Sequence, residues 1–166
     1  MVTKAQLLDS MRHETHVIKH LVGKIHADKL EYRPSPAQRS TIELLRYLTT
    51  CASVSATFAL TGTWEHAAAA DKRASHLRLE DIPKAMDDQL AAIDRQFAGI
   101  DDAELGTRPS KMPWGAPGTL GEVLMNQVLK LMVAYRMQLF LYAKACGAEI
   151  GTANCWGGMD AKKPGT

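Results

Sequence analysis

Three histidines stand within one short run, His13-Glu14-Thr15-His16-Val17-Ile18-Lys19-His20. Steps of three and four put them on one helix face, a spacing that suits metal ligation. At about 100° per residue, the apolar stripe of the same segment (Met11, Thr15, Ile18, Val22) centres roughly opposite them. The histidines are therefore expected to face solvent, where a transition metal binds adventitiously. His26, His66 and His76 have no partner at ligand spacing.

The second group with chemical potential is polar and sits in an apolar segment. Thr119 to Cys146 is apolar nearly all round, yet carries Gln127, Tyr135, Gln138 and Tyr142 on one stripe. A helix apolar on every side is covered on every side. Polar groups buried within it must find partners or line a wet cavity. The expected inward stripe is Leu120, Leu124, Gln127, Val128, Leu131, Tyr135, Gln138 and Tyr142, with Tyr47 of an earlier helix facing it. Two readings stay open. One is a polar core cluster in which Tyr47, Tyr135, Gln127 and Gln138 satisfy one another. The other is a ligand pocket lined by Tyr47, Cys51, Gln127, Leu131, Tyr135 and Gln138. Cys51 has no evident cation nearby to lower its pKa and reads as a core thiol. No Ser/His/Asp arrangement, phosphate-cradling glycine loop or inward carboxylate pair is legible, and no cofactor is expected.

The elements that must position these residues are helical. A capping pattern at Thr3/Gln6 opens a helix over about 4–26, and Ser40/Glu43 opens a second over 40–62. Residues 62–80 read as a crossover with a short helical turn near 65–72. A third helix starts near Asp81 with Pro83 in its first turn, where proline is tolerated. Pro109, Pro113 and Pro117 make 106–118 a loop, and the fourth helix runs from Thr119 to Gly147. No strand is expected. The class is all-α: a four-helix bundle over residues 1–147 followed by a tail, 148–166. The long second connection lets helices 2 and 3 run parallel. Trp156 is expected to cover exposed helix ends or to act as a lid. The far side of helix 4 shows Leu129, Val133, Met137 and Phe140 among Asn126, Lys130, Arg136 and Lys144, an apolar row that points to a homodimer.

Composition narrows the function classes. The chain has 166 residues, 46% hydrophobic and 23% charged, with a net charge of +2. That is one domain with a real core. Basic residues are scattered without interleaved aromatics, which speaks against nucleic-acid binding. No uncharged apolar run is long enough for a membrane span, and no apolar leader is visible near the start. Three cysteines without C-x-x-C spacing fit a reducing, cytoplasmic setting.

Arg33-Pro34-Ser35-Pro36 followed by Arg39-Ser40-Thr41-Ile42-Glu43-Leu44-Leu45-Arg46-Tyr47-Leu48 resembles the start of helix 2 in the DinB/YfiT-like superfamily. Tyr135-Arg136-Met137-Gln138-Leu139, with Tyr142 and Gly147, resembles that family's His-Arg-Gly-Gln-Leu segment in helix 4. The resemblance covers about 7–147. It implies an up-down-down-up bundle, often dimeric, with a divalent metal held by one histidine of helix 2 and two of helix 4. It also implies thiol-dependent transferase or isomerase activity, or metal-dependent hydrolysis. By position those ligands fall on Tyr47, on Leu131, and on Ala134 or Tyr135, none of which is histidine. The resemblance thus implies the architecture, with a degenerate metal site, and leaves a small molecule as the expected partner.

Overall fold

The computed structural model describes residues 2–161. Helix α1, Lys4–Val22, starts where Thr3 and Gln6 cap each other reciprocally, and stops at Gly23, a turn earlier than expected. Its buried face includes Leu7, Met11, Thr15 and Ile18. Ser40 and Glu43 form the second capping box, opening α2, Thr41–Leu48.

The expected second helix is in fact two. After α2 the chain breaks at Thr49–Thr50 and resumes as α3, Cys51–Thr61. The hydroxyls of Thr49 and Thr50 bond back to the carbonyls of Arg46 and Tyr47, a habit of β-branched hydroxyl residues that competes with the helical ladder. The freed backbone groups are satisfied from across the bundle. Gln89 donates to Leu48 O at 2.9 Å, and its carbonyl accepts from Ala52 N at 2.9 Å and Ser53 N at 3.3 Å.

Gln89 belongs to the third long helix, so the break is held by tertiary contact and leaves no local signature. Before that helix comes the crossover, whose short helix α4, Ala67–Ala74, lays Ala70 and Ala74 inward. Helix α5, Ile82–Phe97, follows with Pro83 in its first turn. Helix α6, Asp102–Thr107, leads into a small hairpin, β1 Pro109–Lys111 and β2 Pro117–Thr119, paired antiparallel with Pro109 opposite Thr119. The expectation of no strand is corrected here. Strands of three residues, each opening on proline, carry no readable period.

The last long helix has three parts: α7, Leu120–Val123, a π turn over Leu124–Leu129, and α8, Lys130–Ala145. A π turn adds one residue to the helical count. Up to Val128 the expected inward stripe holds at Leu120, Leu124 and Val128, which are fully covered, while Gln127 is half-buried. Beyond it Met132, Arg136, Leu139 and Ala143 are buried, each one residue later than a continuous α-helix requires, together with Tyr142 of the expected stripe. Leu131, Tyr135 and Gln138 are turned out to the half-buried flank.

Directions follow from the side-chain contacts. Lys4 reaches the carbonyls of Phe97 and Ile100, and Lys19 pairs with Asp87, so α1 and α5 are antiparallel. Gln89 meets Ala52 and Gln96 meets Thr57, so helices 2 and 3 run parallel. The result is an up-down-down-up, all-α bundle. One apolar cluster lies around Met11, Phe97 and Leu124, and a second around Ile18, Leu44, Met86 and Leu139.

Arg136 was expected on a wet face. It is 1% exposed, and its Nε lies 2.6 Å from Glu14 Oε2. The angles fall outside those of a hydrogen bond, so the contact is an ion pair and Nη2 is left without a hydrogen bond. The tail supplies the rest. Arg136 Nη1 donates to the Cys155 carbonyl, and Trp156 stacks on the guanidinium at 4.7 Å. The tail therefore crosses the side of the bundle, between α1 and α8, and does not cap its end. Its described part reaches residue 161; residues 162–166 lie outside the described residues.

This path corrects the picture of a bare histidine face. His13, His16 and His20 do point away from the core, but the tail runs over them. His13 Nε2 donates to Trp156 O at 2.8 Å, and His20 Nε2 accepts from Asn154 Nδ2 at 3.0 Å. Asp160 pairs with Lys24 at 2.7 Å. Gly158 sits so close that a Cβ there would lie 2.6 Å from the His16 ring, in a backbone conformation with φ +61°. Only glycine permits that approach.

In the apolar row on helix 4, Leu129 packs on one core cluster and Phe140 on the other, and all four residues, with Val133 and Met137, are half-buried. Met125 and Leu141 are the helix 4 apolar residues that stand exposed.

Two predictions follow from these contacts. Gln89→Leu removes three hydrogen bonds to main-chain groups and should destabilise the fold by roughly 2–4 kcal/mol, read from urea unfolding. Burial and neighbouring Lys24 lower the His20 pKa from 6.5, against the opposing pull of Asp160. His16 disfavours the charge as well. A histidine with a depressed folded pKa contributes stability present above its unfolded pKa and lost as pH falls through the folded value. Tail docking should therefore weaken below about pH 6.5, read as a change in Trp156 fluorescence, and His20→Asn should flatten that dependence.

Candidate functional site

The positions where helix 2 faces helix 4 converge on a cleft. Tyr47, near the end of α2, and Cys51, at the start of α3, lie on either side of the Thr49–Thr50 break. From helix 4, Gln127 in the π turn and Leu131 at the start of α8 complete the wall. With Thr50, Val54, Ser55, Trp64, Ala67 and Asp71 they enclose a pocket of about 140 Å³. Trp64 is held by stacking on Phe58, with ring centroids 4.3 Å apart. Tyr135 meets Tyr47 edge-on at 4.8 Å, and Arg39 lies over the Tyr47 ring at 4.1 Å and the Tyr135 ring at 5.9 Å.

The six residues expected to share a pocket are thus brought together in part. Tyr47, Cys51, Gln127 and Leu131 line one space, and Tyr135 adjoins it through Tyr47. Gln138 does not join. It donates to the Tyr142 hydroxyl at 2.8 Å, which in turn donates to the Arg39 carbonyl at 2.9 Å. The expected four-residue polar cluster does not form, because the π turn takes Gln138 and Tyr135 off the inward stripe. Arg39, Trp64 and Asp71 were missed. Arg39 precedes a helix cap, and the other two sit in the crossover, so only folding brings them to the cleft.

The electrostatics leave the reactive groups quiet. Burial, with the nearby Cys51 and Tyr135, raises the Tyr47 phenol well above its ordinary value. Burial pushes the Cys51 thiol up to about 12. Neither group is ionised at neutral pH.

A metal centre at the place the resemblance implies needs three donors. Tyr47 offers a phenol held protonated, Leu131 offers none, and Tyr135 is a second phenol turned onto the first. Neutral phenol is a poor ligand for a divalent transition metal, and a leucine is no ligand at all. Among the described residues, no group of three or more His, Cys, Asp or Glu side chains is placed to hold an ion. The donor set does not fit the family's metal. Also among the described residues, no helix is long and apolar enough to cross a membrane.

No family sequence model matches the chain, and no curated protein sequence matches it either. Solved structures do. A DinB-like protein of Bacillus cereus superposes with a TM-score of 0.70 at 14% identity, covering 90% of this chain and 97% of that one. The DinB-like protein YjoA of Bacillus subtilis gives 0.65 at 16% identity, covering 89% and 96%. A candidate member of the DinB family from Exiguobacterium sibiricum gives 0.63 at 17% identity, covering 89% and 97%. The chain has the DinB-like fold.

The thiols provide a direct check on the cleft. Cys51 and Cys155 are buried and Cys146 is partly exposed. Iodoacetamide at pH 7.5 should alkylate Cys146 and leave Cys51 untouched until the protein unfolds, as read by peptide mass spectrometry.

Proposed function

We propose, from the DinB-like fold, that the protein is a small-molecule-binding relative of the DinB/YfiT-like superfamily that works without the three-histidine metal centre. The observation that carries this reading is the open pocket beside Tyr47 and Cys51. A core whose only task was to fix helix register would close there. Instead α4 contributes Ala67 to the pocket wall, a side chain too short to fill the space.

Catalysis is the runner-up, with Tyr47 or Tyr135 as proton donor and Gln127 and Gln138 orienting a substrate. Two observations weigh against it. A phenol whose pKa is pushed up is a weaker acid, whereas general acids are tuned toward the working pH. Gln138 is engaged with Tyr142 and points to the wrong neighbour. The metal-dependent activities that the resemblance implies lack a donor set at these positions. Three free cysteines are consistent with the reducing, cytoplasmic setting included in the same reading.

Titration with benzyl alcohol and with benzoate, followed by ¹H–¹⁵N NMR, tests the pocket. Saturable shifts of the Trp64 indole N–H and the Gln127 side-chain amide are expected from at least one probe. Ala67→Leu fills the cleft from α4 without touching the core and should abolish them. If neither probe shifts these signals, or if the shifts survive Ala67→Leu, the pocket is not a binding site.

A further inference from the structure

The pocket shares Tyr47 and Asp71 with a neighbouring, wider cleft of about 340 Å³ lined also by Arg39, Glu43, Arg46 and Ser75. The inner one is walled by Cys51, Val54, Trp64 and Leu131, and also by the polar Thr50, Ser55, Asp71 and Gln127. The outer one is walled by charges, and their pairing is uneven. Glu43 is engaged: it accepts from Ser40 N at 2.7 Å and pairs with Arg33 at 3.3 Å. Arg46 spends its Nε on the Leu77 carbonyl at 2.9 Å and meets no carboxylate among the described residues. Arg39 makes no ion pair there either, and rests on two aromatic rings. Asp71 is the one carboxylate of the cleft without an ion-pair partner among the described residues. Two guanidinium groups against one free carboxylate leave an excess of positive charge beside the inner pocket.

We propose that the site takes a monocarboxylate with a compact apolar body. The body, about the size of one aromatic ring or a short branched acyl chain, fills the inner space. The carboxylate meets Arg39 and Arg46 in the neighbouring cleft. Guanidinium presents paired N–H donors in a plane, which match the two oxygens of a carboxylate. The Tyr47 and Tyr135 rings hold Arg39 at the rim, so little side-chain freedom is lost when the anion binds. Selectivity for an acid over the corresponding alcohol then comes from the two arginines, and the choice of body from Leu131 and Val54. This inference rests on the pocket being a binding site.

The test extends the NMR titration to three isosteric probes: benzoate, benzyl alcohol and benzamidine. Benzoate should bind at least about tenfold more tightly than benzyl alcohol, and benzamidine should not compete. Arg39→Gln and Arg46→Gln should each weaken benzoate about tenfold and leave benzyl alcohol unchanged. Arg39→Lys, which keeps the charge but loses the planar fork, should fall between. Benzoate affinity should also drop as salt rises. Spectral dispersion of each variant establishes that it is folded. Equal binding of benzoate and benzyl alcohol, preference for benzamidine, or indifference of benzoate to both arginine variants would overturn the carboxylate inference and leave the pocket standing. Silence from all three probes would remove the pocket itself.

Discussion

A guanidinium with 1% exposure must be neutralised where it lies, and Arg136 is that group. Taking one partner of such a pair away strands a charge in low dielectric. Glu14 answers it from α1, and the Cys155 carbonyl answers it from the tail. The π turn and the ion pair require each other. Without the extra residue in helix 4, Tyr135 would face Glu14 and Arg136 would face water. With it, α1, helix 4 and the tail share one contact, and the tail has its reason to cross the histidine side.

The same π turn borders the cleft. Tyr135, on the half-buried flank, still meets Tyr47 of helix 2, and Leu131 still lies in the pocket wall. Gln138, off the inward stripe, bonds Tyr142. The break between α2 and α3, bridged by Gln89, sets Tyr47 and Cys51 on either side of a discontinuity in the helix. Two departures from ideal helix geometry, one in each facing helix, therefore shape the space. Departures of this kind recur at functional sites, where regular packing would otherwise close the cavity.

Much of the architecture was readable because its signals are local. The capping pairs Thr3/Gln6, Ser40/Glu43 and Thr119/Glu122 all form as reciprocal caps. Pro83 and Gly147 mark helix ends. The long crossover does join parallel helices. Residues 109–119 were less readable, since a hairpin with three-residue strands has no period to detect. At the site, Tyr47, Cys51, Gln127 and Leu131 could be named from helix spacing. Arg39, Trp64 and Asp71 could not, because their place depends on where a cap and a crossover come to rest.

The sequence by itself determined the all-α bundle class, the order of its four long helical segments and the replacement of histidine by phenol and alkyl groups. All of these depend on residue identity and on periods within a few turns. The phase of helix 4 beyond Val128, the break in helix 2 and the path of the tail were decided only in the folded structure. Each depends on partners far apart in the chain: Gln89 with Leu48, Arg136 with Glu14, Asn154 with His20. A helical period carries no record of such partners, since a π turn or a borrowed hydrogen bond becomes favourable only once the opposing side chain is in place.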